Sequence, residues 1–153
     1  MTLNSTKSEV AVARKLRDGE NSAGEVAVAE HSKKTKASVR VIVADDEASA
    51  RSGLARLLGD EGFAVSVAED GLRALTLVQE LAPEVLVTDL RMPGLDGIEL
   101  LQRAREVEPD LIVILVTAFA EVETAVRAMQ AGAEHYLTKP LQIDELLLVH
   151  PLC

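Results

Sequence analysis

Five polar side chains follow directly after apolar runs, and their types suit phosphoryl chemistry. The five are Asp45, Asp46, Asp89, Thr117 and Lys139. Three neighbouring carboxylates repel one another and need a compensating cation, and Mg²⁺ is the natural one because it binds few carboxylates and several waters. A carboxylate can also act as a nucleophile toward a phosphoryl group, while a lysine and a hydroxyl contact the transferring oxygens. These residue types are therefore the ones needed to form an aspartyl phosphate.

Apolar runs and helical stripes alternate along the chain from residue 39 onward. The runs are rich in β-branched residues and several are apolar on both faces, which predicts buried parallel strands. They cover residues 39–44, 64–68, 84–88, 111–116 and 134–138. Between the runs, apolar residues recur every three or four positions, which predicts amphipathic helices. The stripes are Ala50-Leu54-Leu57-Leu58, Ala74-Leu75-Val78-Leu81, Gly97-Leu100-Leu101-Ala104, Val122-Ala125-Val126-Met129 and Ile143-Leu146-Leu147.

The strand–helix order repeated five times predicts an α/β fold, a doubly wound parallel sheet with helices on both faces. Gly62 and Gly132 fall where helix C-termini need a left-handed residue. Ligands bind beyond the carboxyl ends of the strands in such sheets. We therefore expect the five polar residues to meet at one edge.

The sequence resembles the receiver domain of bacterial two-component response regulators over about residues 39–149. The motifs that carry the resemblance are Asp45-Asp46, Asp89 in Thr-Asp-Leu-Arg-Met-Pro-Gly-Leu-Asp-Gly, Thr117-Ala118 and Lys139-Pro140. Residues 117–126 and 129–134 look most like the receivers of NtrC-like transcription activators. The resemblance implies a five-stranded, flavodoxin-like receiver fold over residues 39–153.

The resemblance also implies how the acidic residues divide their roles. Asp89 is expected to be the phosphoacceptor, and Asp46 the direct carboxylate ligand of Mg²⁺. Asp45 is expected to act on the metal mostly through water. The backbone carbonyl of Arg91 is expected to complete the protein's share of the coordination sphere.

The other residues that match the family's motifs are expected to bind the phosphoryl group or to change conformation when the protein is phosphorylated. Lys139 would pair with the phosphoryl oxygens, and its bond to Pro140 is usually cis in the family. Thr117 would turn inward on activation, and Tyr136 would then move from an exposed to a buried position. The implied partners are a sensor histidine kinase and a second copy of the chain, bound through the face of helix four, strand five and helix five.

Plainer explanations exist for each residue taken singly. The pair Asp45-Asp46 could cap a helix, Met92–Gly94 could be no more than a tight turn, and Tyr136 could be an ordinary half-buried strand residue. Their joint occurrence at the expected strand ends favours a site. The three histidines match no site pattern and are predicted at the surface: His31, His135 and His150.

The resemblance implies a signalling switch that is phosphorylated by a partner kinase and acts as a stoichiometric acceptor rather than as an enzyme. Two other functions remain possible. One is an interaction module that has lost phosphorylation. The other is an aspartate-nucleophile phosphatase, but such enzymes place a second acid two residues after the nucleophile, where this chain has Arg91.

Charge and composition bound the remaining possibilities. Residues 1–38 hold seven Lys/Arg and five Asp/Glu, a net charge of +2, and residues 39–153 hold nine and twenty, a net charge of −11. The acidic body argues against direct DNA binding. The single cysteine, Cys153, fits a reducing cytoplasm, and no apolar run approaches the ~20 residues that span a bilayer.

The two ends of the chain depart from the body. Residues 1–38 contain the pentapeptide Glu-Val-Ala-Val-Ala twice, at 9–13 and 25–29, and their composition predicts a flexible tail. At the other end, Pro151 blocks continuation of the fifth helix. We expect the shortened helix to leave apolar surface exposed. This exposure should lower the stability of the domain or favour binding of a partner.

Overall fold

Residues 39–149 and residue 152 are described in a computed structural model of the chain, and they form an alternating α/β fold. The strands are β1 (Arg40–Ala44), β2 (Ala64–Ala68), β3 (Val85–Asp89), β4 (Ile112–Thr117) and β5 (His135–Thr138). The helices are α1 (Ala48–Asp60), α2 (Gly71–Leu81), α3 (Gly97–Val107), α4 (Val122–Gln130) and α5 (Ile143–Leu146). All neighbouring strands are parallel, in the order β2-β1-β3-β4-β5. The predicted fold class is confirmed.

Successive residues of the central strands divide the core into two layers. On β3, Leu86 packs with residues of α2 and α3, whereas Val85 and Val87 pack with residues of α1 and α5. The same alternation separates Leu115 from Ile114 on β4, as the two-residue period of a strand requires. Helices therefore cover both faces of the sheet.

Local signals fix several helix ends. Asp96 caps α3 and forms a capping box with Glu99, which satisfies the free backbone N–H groups at the start of the helix. Gly62 follows α1 with a φ of 103° and Gly132 follows α4 with a φ of 105°, both in the left-handed region, as predicted. The start of α3 is thus fixed beside the end of β3.

The apolar stripe of α4 differs from the expected core-facing arrangement. Val122, Val126 and Met129 are 83%, 48% and 50% exposed, while Ala128 is the buried residue of this helix. Ala128 lies on the opposite side of the helix from Val126, and α4 packs against β5. The helix is amphipathic as predicted, but its larger apolar side chains point away from the core.

The end of the chain contributes to the layer under α1 and α5. Helix α5 is four residues long and ends at Leu146, earlier than the stop predicted at Pro151. Val149 and Leu152 beyond it are nevertheless buried in this layer, whereas Leu148 is largely exposed. Three C-terminal residues lie outside the described part of the chain: His150, Pro151 and Cys153.

Residues 1–38 also lie outside the described residues, so the predictions of a tail and of a surface position for His31 remain predictions. His135 is exposed, as expected. Within the described part, no helix is both long enough and apolar enough to cross a membrane.

Candidate functional site

The polar residues singled out in the sequence lie at the carboxyl edge of the sheet. Asp45 and Asp46 follow the last residue of β1, Asp89 and Thr117 end β3 and β4, and Lys139 follows β5. The register pairs Asp89 with Val116 and Thr117 with Thr138, so the strand ends are level with one another. The structure brings four of the five together, namely Asp45, Asp46, Asp89 and Lys139. Thr117 lies at the same edge of the sheet without a contact to them.

Three of these residues form a compact acidic cluster. Carboxylate oxygens of Asp45, Asp46 and Asp89 lie within 4.8 Å of one another. The Lys139 Nζ donates to Asp45 Oδ2 at 2.9 Å and to Asp89 Oδ2 at 3.2 Å. One ammonium group faces three carboxylates, so the site keeps an excess of negative charge. A donor set of closely spaced carboxylate oxygens suits a hard divalent cation.

Burial and pairing shift the proton equilibria of the central pair. Burial raises the pKa of Asp89 above its usual value, and the charge of Asp45 adds to the increase, although the hydrogen bond from Lys139 acts in the opposite direction. Burial alone lowers the pKa of the Lys139 ammonium, but its hydrogen bonds to Asp45 and Asp89 outweigh that effect and the pKa is raised. The lysine therefore stays charged beside a carboxylate that is less acidic than usual.

Backbone hydrogen bonds orient two of the carboxylates. Asp45 Oδ1 accepts from the Glu47 backbone N at 2.9 Å, and Arg51 Nη1 donates to the Asp45 carbonyl at 2.8 Å. Asp89 Oδ1 accepts from the Arg91 backbone N at 3.4 Å. The N-cap of α1 is Glu47, which makes no side-chain cap hydrogen bond, and Asp45 accepts the backbone N–H of that residue. Asp45 thus contacts the start of α1 as well as Lys139.

Gly97 lets α3 approach the end of β3 closely. A Cβ atom at this position would lie 2.6 Å from the Asp89 carbonyl oxygen and 2.9 Å from the Leu90 Cα. The Gly97 backbone N also donates to the Leu90 carbonyl at 2.8 Å. The absence of a side chain here therefore fixes where β3 ends and where Asp89 sits.

Thr117 reaches the edge of the sheet but its hydroxyl is bound elsewhere. The side chain is buried, and Oγ1 accepts from the Phe119 backbone N at 3.1 Å and lies 3.5 Å from the Phe119 carbonyl oxygen. Its partner in this structure is thus the loop between β4 and α4, not the acidic cluster.

Tyr136 is half-buried on β5 and packs against the core layer that contains Ala128 of α4. Its hydroxyl oxygen is buried and, within residues 39–149, has no hydrogen-bond partner. The inward movement expected on activation remains a prediction. The Lys139-Pro140 bond is cis, as the resemblance implies.

Sequence reasoning assigned Arg91 only through its backbone carbonyl and missed the contacts of its side chain. The guanidinium carbon lies 5.2 Å from the centroid of the Phe119 ring, and Nη2 lies 3.7 Å from Glu121 Oε1. Phe119 is one of only two phenylalanines in the chain and stands two residues after Thr117. The aromatic side chain so close to a site residue was the sequence feature that could have indicated this contact.

Two cavities flank the cluster. One, of about 690 Å³, lies between the loop after β3 and helix α4, and its lining includes Asp46, Arg91 and Arg127. The other, of about 220 Å³, is mainly apolar and lies between α1 and the segment that follows β5. The larger cavity reaches the acidic cluster at Asp46.

Comparisons with known proteins fall on the same part of the chain. A family model described as the response regulator receiver domain matches residues 41–149. Over 110 residues the chain is 43% identical to the regulatory protein AtoC of Escherichia coli (strain K12), covering 72% of this chain and 24% of that protein. The chain spans less than half the length of the curated relatives it matches.

Two solved structures share the fold closely. A response regulator from Burkholderia pseudomallei, determined with a phosphorylated aspartic acid, a calcium ion and citrate, is 31% identical with a TM-score of 0.68 and covers 71% of this chain and 64% of that one. The beryllofluoride-activated NtrC4 receiver domain dimer is 38% identical with a TM-score of 0.67, covering 71% and 90%. The second agrees with the resemblance to NtrC-like receivers.

Proposed function

The chain belongs to the response regulator receiver domain family, and on that premise we propose that Asp89 accepts a phosphoryl group from a sensor histidine kinase. The observation that carries the proposal is the lysine bridge: Lys139 Nζ is hydrogen-bonded to both Asp45 and Asp89 at the carboxyl edge of the sheet. A cation fixed between two strand ends is placed to meet the oxygens of a phosphoryl group on Asp89.

In the transfer, an Asp89 carboxylate oxygen attacks the phosphorus of the kinase phosphohistidine. The new P–O bond forms as the P–N bond breaks, and the histidine nitrogen leaves with the electron pair. Lys139 donates to the transferring oxygens. Asp46, Asp89 and the Arg91 backbone carbonyl would hold Mg²⁺, with Asp45 acting mostly through water, and the bound ion would supply positive charge for those oxygens.

The chain acts as a stoichiometric phosphoacceptor rather than as an enzyme that turns over. It acts in the cytoplasm. The position two residues after Asp89 is Arg91, whose guanidinium contacts Phe119 and Glu121. An aspartate-nucleophile phosphatase needs an acid there, so this residue supports the acceptor. After phosphorylation, the Thr117 hydroxyl turns from Phe119 toward the phosphoryl group and Tyr136 moves further inward.

A second copy of the chain is the proposed partner for the exposed face of α4. Val122, Val126 and Met129 give this face three apolar side chains without cover among residues 39–149. The phosphorylated form is expected to dimerise through α4, β5 and α5. Sedimentation velocity with beryllofluoride and Mg²⁺ tests this: Val126→Asp should stay monomeric where the wild type forms a dimer.

Labelling with acetyl phosphate tests the central proposal. With MgCl₂ present, we expect one acid-stable, base-labile phosphoryl group on the wild-type chain, none on Asp89→Asn and greatly reduced labelling on Asp46→Asn. Asp110→Asn is the matched control, because Asp110 is exposed and precedes β4 at the opposite edge of the sheet. Equal labelling of Asp89→Asn and wild type contradicts the assignment, and a wild type that takes no label favours the unphosphorylated interaction module.

A further inference from the structure

We infer that the Arg91 side chain is a positioning residue that clasps the loop between β4 and α4, residues 118–121, and holds Thr117 on Phe119. The inference builds on the proposed function, since it concerns how readily Thr117 becomes available to a phosphoryl group on Asp89. It assigns to Arg91 a role separate from that of its backbone carbonyl.

The clasp joins two loops that the fold places side by side. Arg91 lies in the loop after β3, and both of its side-chain contacts lie in the loop after β4. The guanidinium carbon is 5.2 Å from the centroid of the Phe119 ring, within the range of a cation–π contact. Its Nη2 is 3.7 Å from Glu121 Oε1, which makes an ion pair with the residue before α4.

Phe119 connects this clasp to the Thr117 hydroxyl. The Phe119 backbone N donates to Thr117 Oγ1 at 3.1 Å, and the hydroxyl lies 3.5 Å from the Phe119 carbonyl oxygen. A threonine hydroxyl has one proton to donate. In this arrangement the one hydroxyl proton is directed at the Phe119 carbonyl oxygen, and the oxygen accepts from the Phe119 N–H. Both contacts break when Thr117 turns toward Asp89, so a contact that fixes Phe119 disfavours that turn.

A phosphoryl group on Asp89 would compete for the same guanidinium. Arg91 follows Asp89 by two residues and its backbone N is 3.4 Å from Asp89 Oδ1, so the two residues are neighbours at the end of β3. Guanidinium groups pair strongly and in a bidentate manner with phosphate oxygens. Phosphorylation would therefore draw Arg91 from Glu121 and Phe119 and release the loop, which supplies a differential contact between the two states.

The expected size of the effect follows from exposure. The Arg91 and Glu121 side chains are 60% and 63% exposed. Exposed ion pairs and cation–π contacts each change an equilibrium constant by roughly two- to fivefold. Loss of the whole clasp is therefore expected to change the loop equilibrium by about fivefold to tenfold.

Amide hydrogen exchange on the unphosphorylated full chain tests the clasp. We expect the Phe119 amide to exchange about fivefold to tenfold faster in Arg91→Ala, about twofold faster in Glu121→Gln, and at an intermediate rate in Arg91→Lys, which keeps the charge but not the planar group. Arg103→Ala, which removes an exposed arginine from α3, is the matched control and should leave the rate unchanged. The Leu101 amide in α3 reports on global opening and should not respond.

A second measurement connects the clasp to the switch. The beryllofluoride concentration that half-saturates the protein with Mg²⁺ should fall by about twofold in Glu121→Gln, which removes the ion pair of the clasp and leaves the Arg91 guanidinium in place. An unchanged Phe119 rate in Arg91→Ala overturns the inference, as does equal acceleration at Leu101, which indicates loss of overall stability. A faster Phe119 amide in a chain whose wild type takes no label on Asp89 supports the clasp and rejects the proposed function, so the two failures are distinguishable.

Discussion

Helices α3 and α4 carry the same kind of apolar stripe and have opposite environments. On α3, Gly97, Leu100, Leu101 and Ala104 are all buried. On α4, Val122, Val126 and Met129 are largely exposed and Ala128 is the buried residue. An apolar stripe therefore identifies the apolar face of a helix, but the neighbouring elements decide whether that face is covered.

The position of each helix in the fold explains the difference. Helix α3 packs beside α2 under the central strands, whereas α4 packs on β5, the last strand of the sheet. The well-covered part holds Asp89 at the end of β3 through the close approach of Gly97. Thr117 ends β4 and is buried, but the loop that follows it is less covered, and Phe119 in that loop is 62% exposed. Asp89, the proposed phosphoacceptor, thus lies beside a loop in which movement displaces little buried surface, as a conformational switch requires.

Leu101→Ala and Met129→Ala test this comparison with the largest expected effect. Leu101 is fully buried and Met129 is 50% exposed. Truncating a buried leucine leaves a cavity and should lower the free energy of unfolding by about 2–5 kcal/mol. Truncating Met129 should change it by about 0.5 kcal/mol or less. Urea denaturation of both variants measures the two values, and equal losses would mean that α4 is covered in solution, as in a dimer.

The sequence predicted the strand ends better than it predicted side-chain partners. Runs of β-branched residues place Asp89 and Lys139 at strand ends because strand order and parallel pairing leave little freedom. The partners of Arg91 could not be read in the same way, since an exposed arginine has many rotamers and its contacts depend on where two loops meet. The exposure of the apolar face of α4 also could not be predicted, because the stripe of apolar residues is the same whether or not another element packs on it.

Gly97→Ala and Gly53→Ala compare the two environments with a single methyl group. At Gly97 the new Cβ meets the Asp89 carbonyl oxygen at 2.6 Å, whereas at Gly53 it has nothing within 4 Å. We expect Gly97→Ala to lower the free energy of unfolding by about 1–3 kcal/mol, as overpacking does. Gly53→Ala lies in an exposed part of α1 and should raise it by about 0.5–1 kcal/mol.

The Gly97→Ala and Gly53→Ala variants also test whether the packing of α3 on β3 affects the rate of phosphorylation. Because the backbone at Asp89 must shift in Gly97→Ala, the rate of labelling by acetyl phosphate should fall, while Gly53→Ala should label at the wild-type rate. Both stability and labelling are measured on the same purified variants. A Gly97→Ala variant that labels at the wild-type rate would show that the position of Asp89 does not depend on the close approach of α3.

The smallest expected effect comes from two buried hydroxyl groups that lie on β4 and β5, near α4. The Thr117 hydroxyl accepts a hydrogen bond from Phe119 at 3.1 Å, whereas the Tyr136 hydroxyl is buried and unpartnered within residues 39–149. A buried polar group without a partner is costly, and a partnered one contributes a modest net stabilisation. Tyr136→Phe should therefore leave the free energy of unfolding unchanged or raise it by up to about 1 kcal/mol, while Thr117→Val should lower it by about 0.5–1.5 kcal/mol. Thermal and urea unfolding measure both changes, and a loss above about 1 kcal/mol in Tyr136→Phe would indicate that its hydroxyl is hydrogen-bonded in solution.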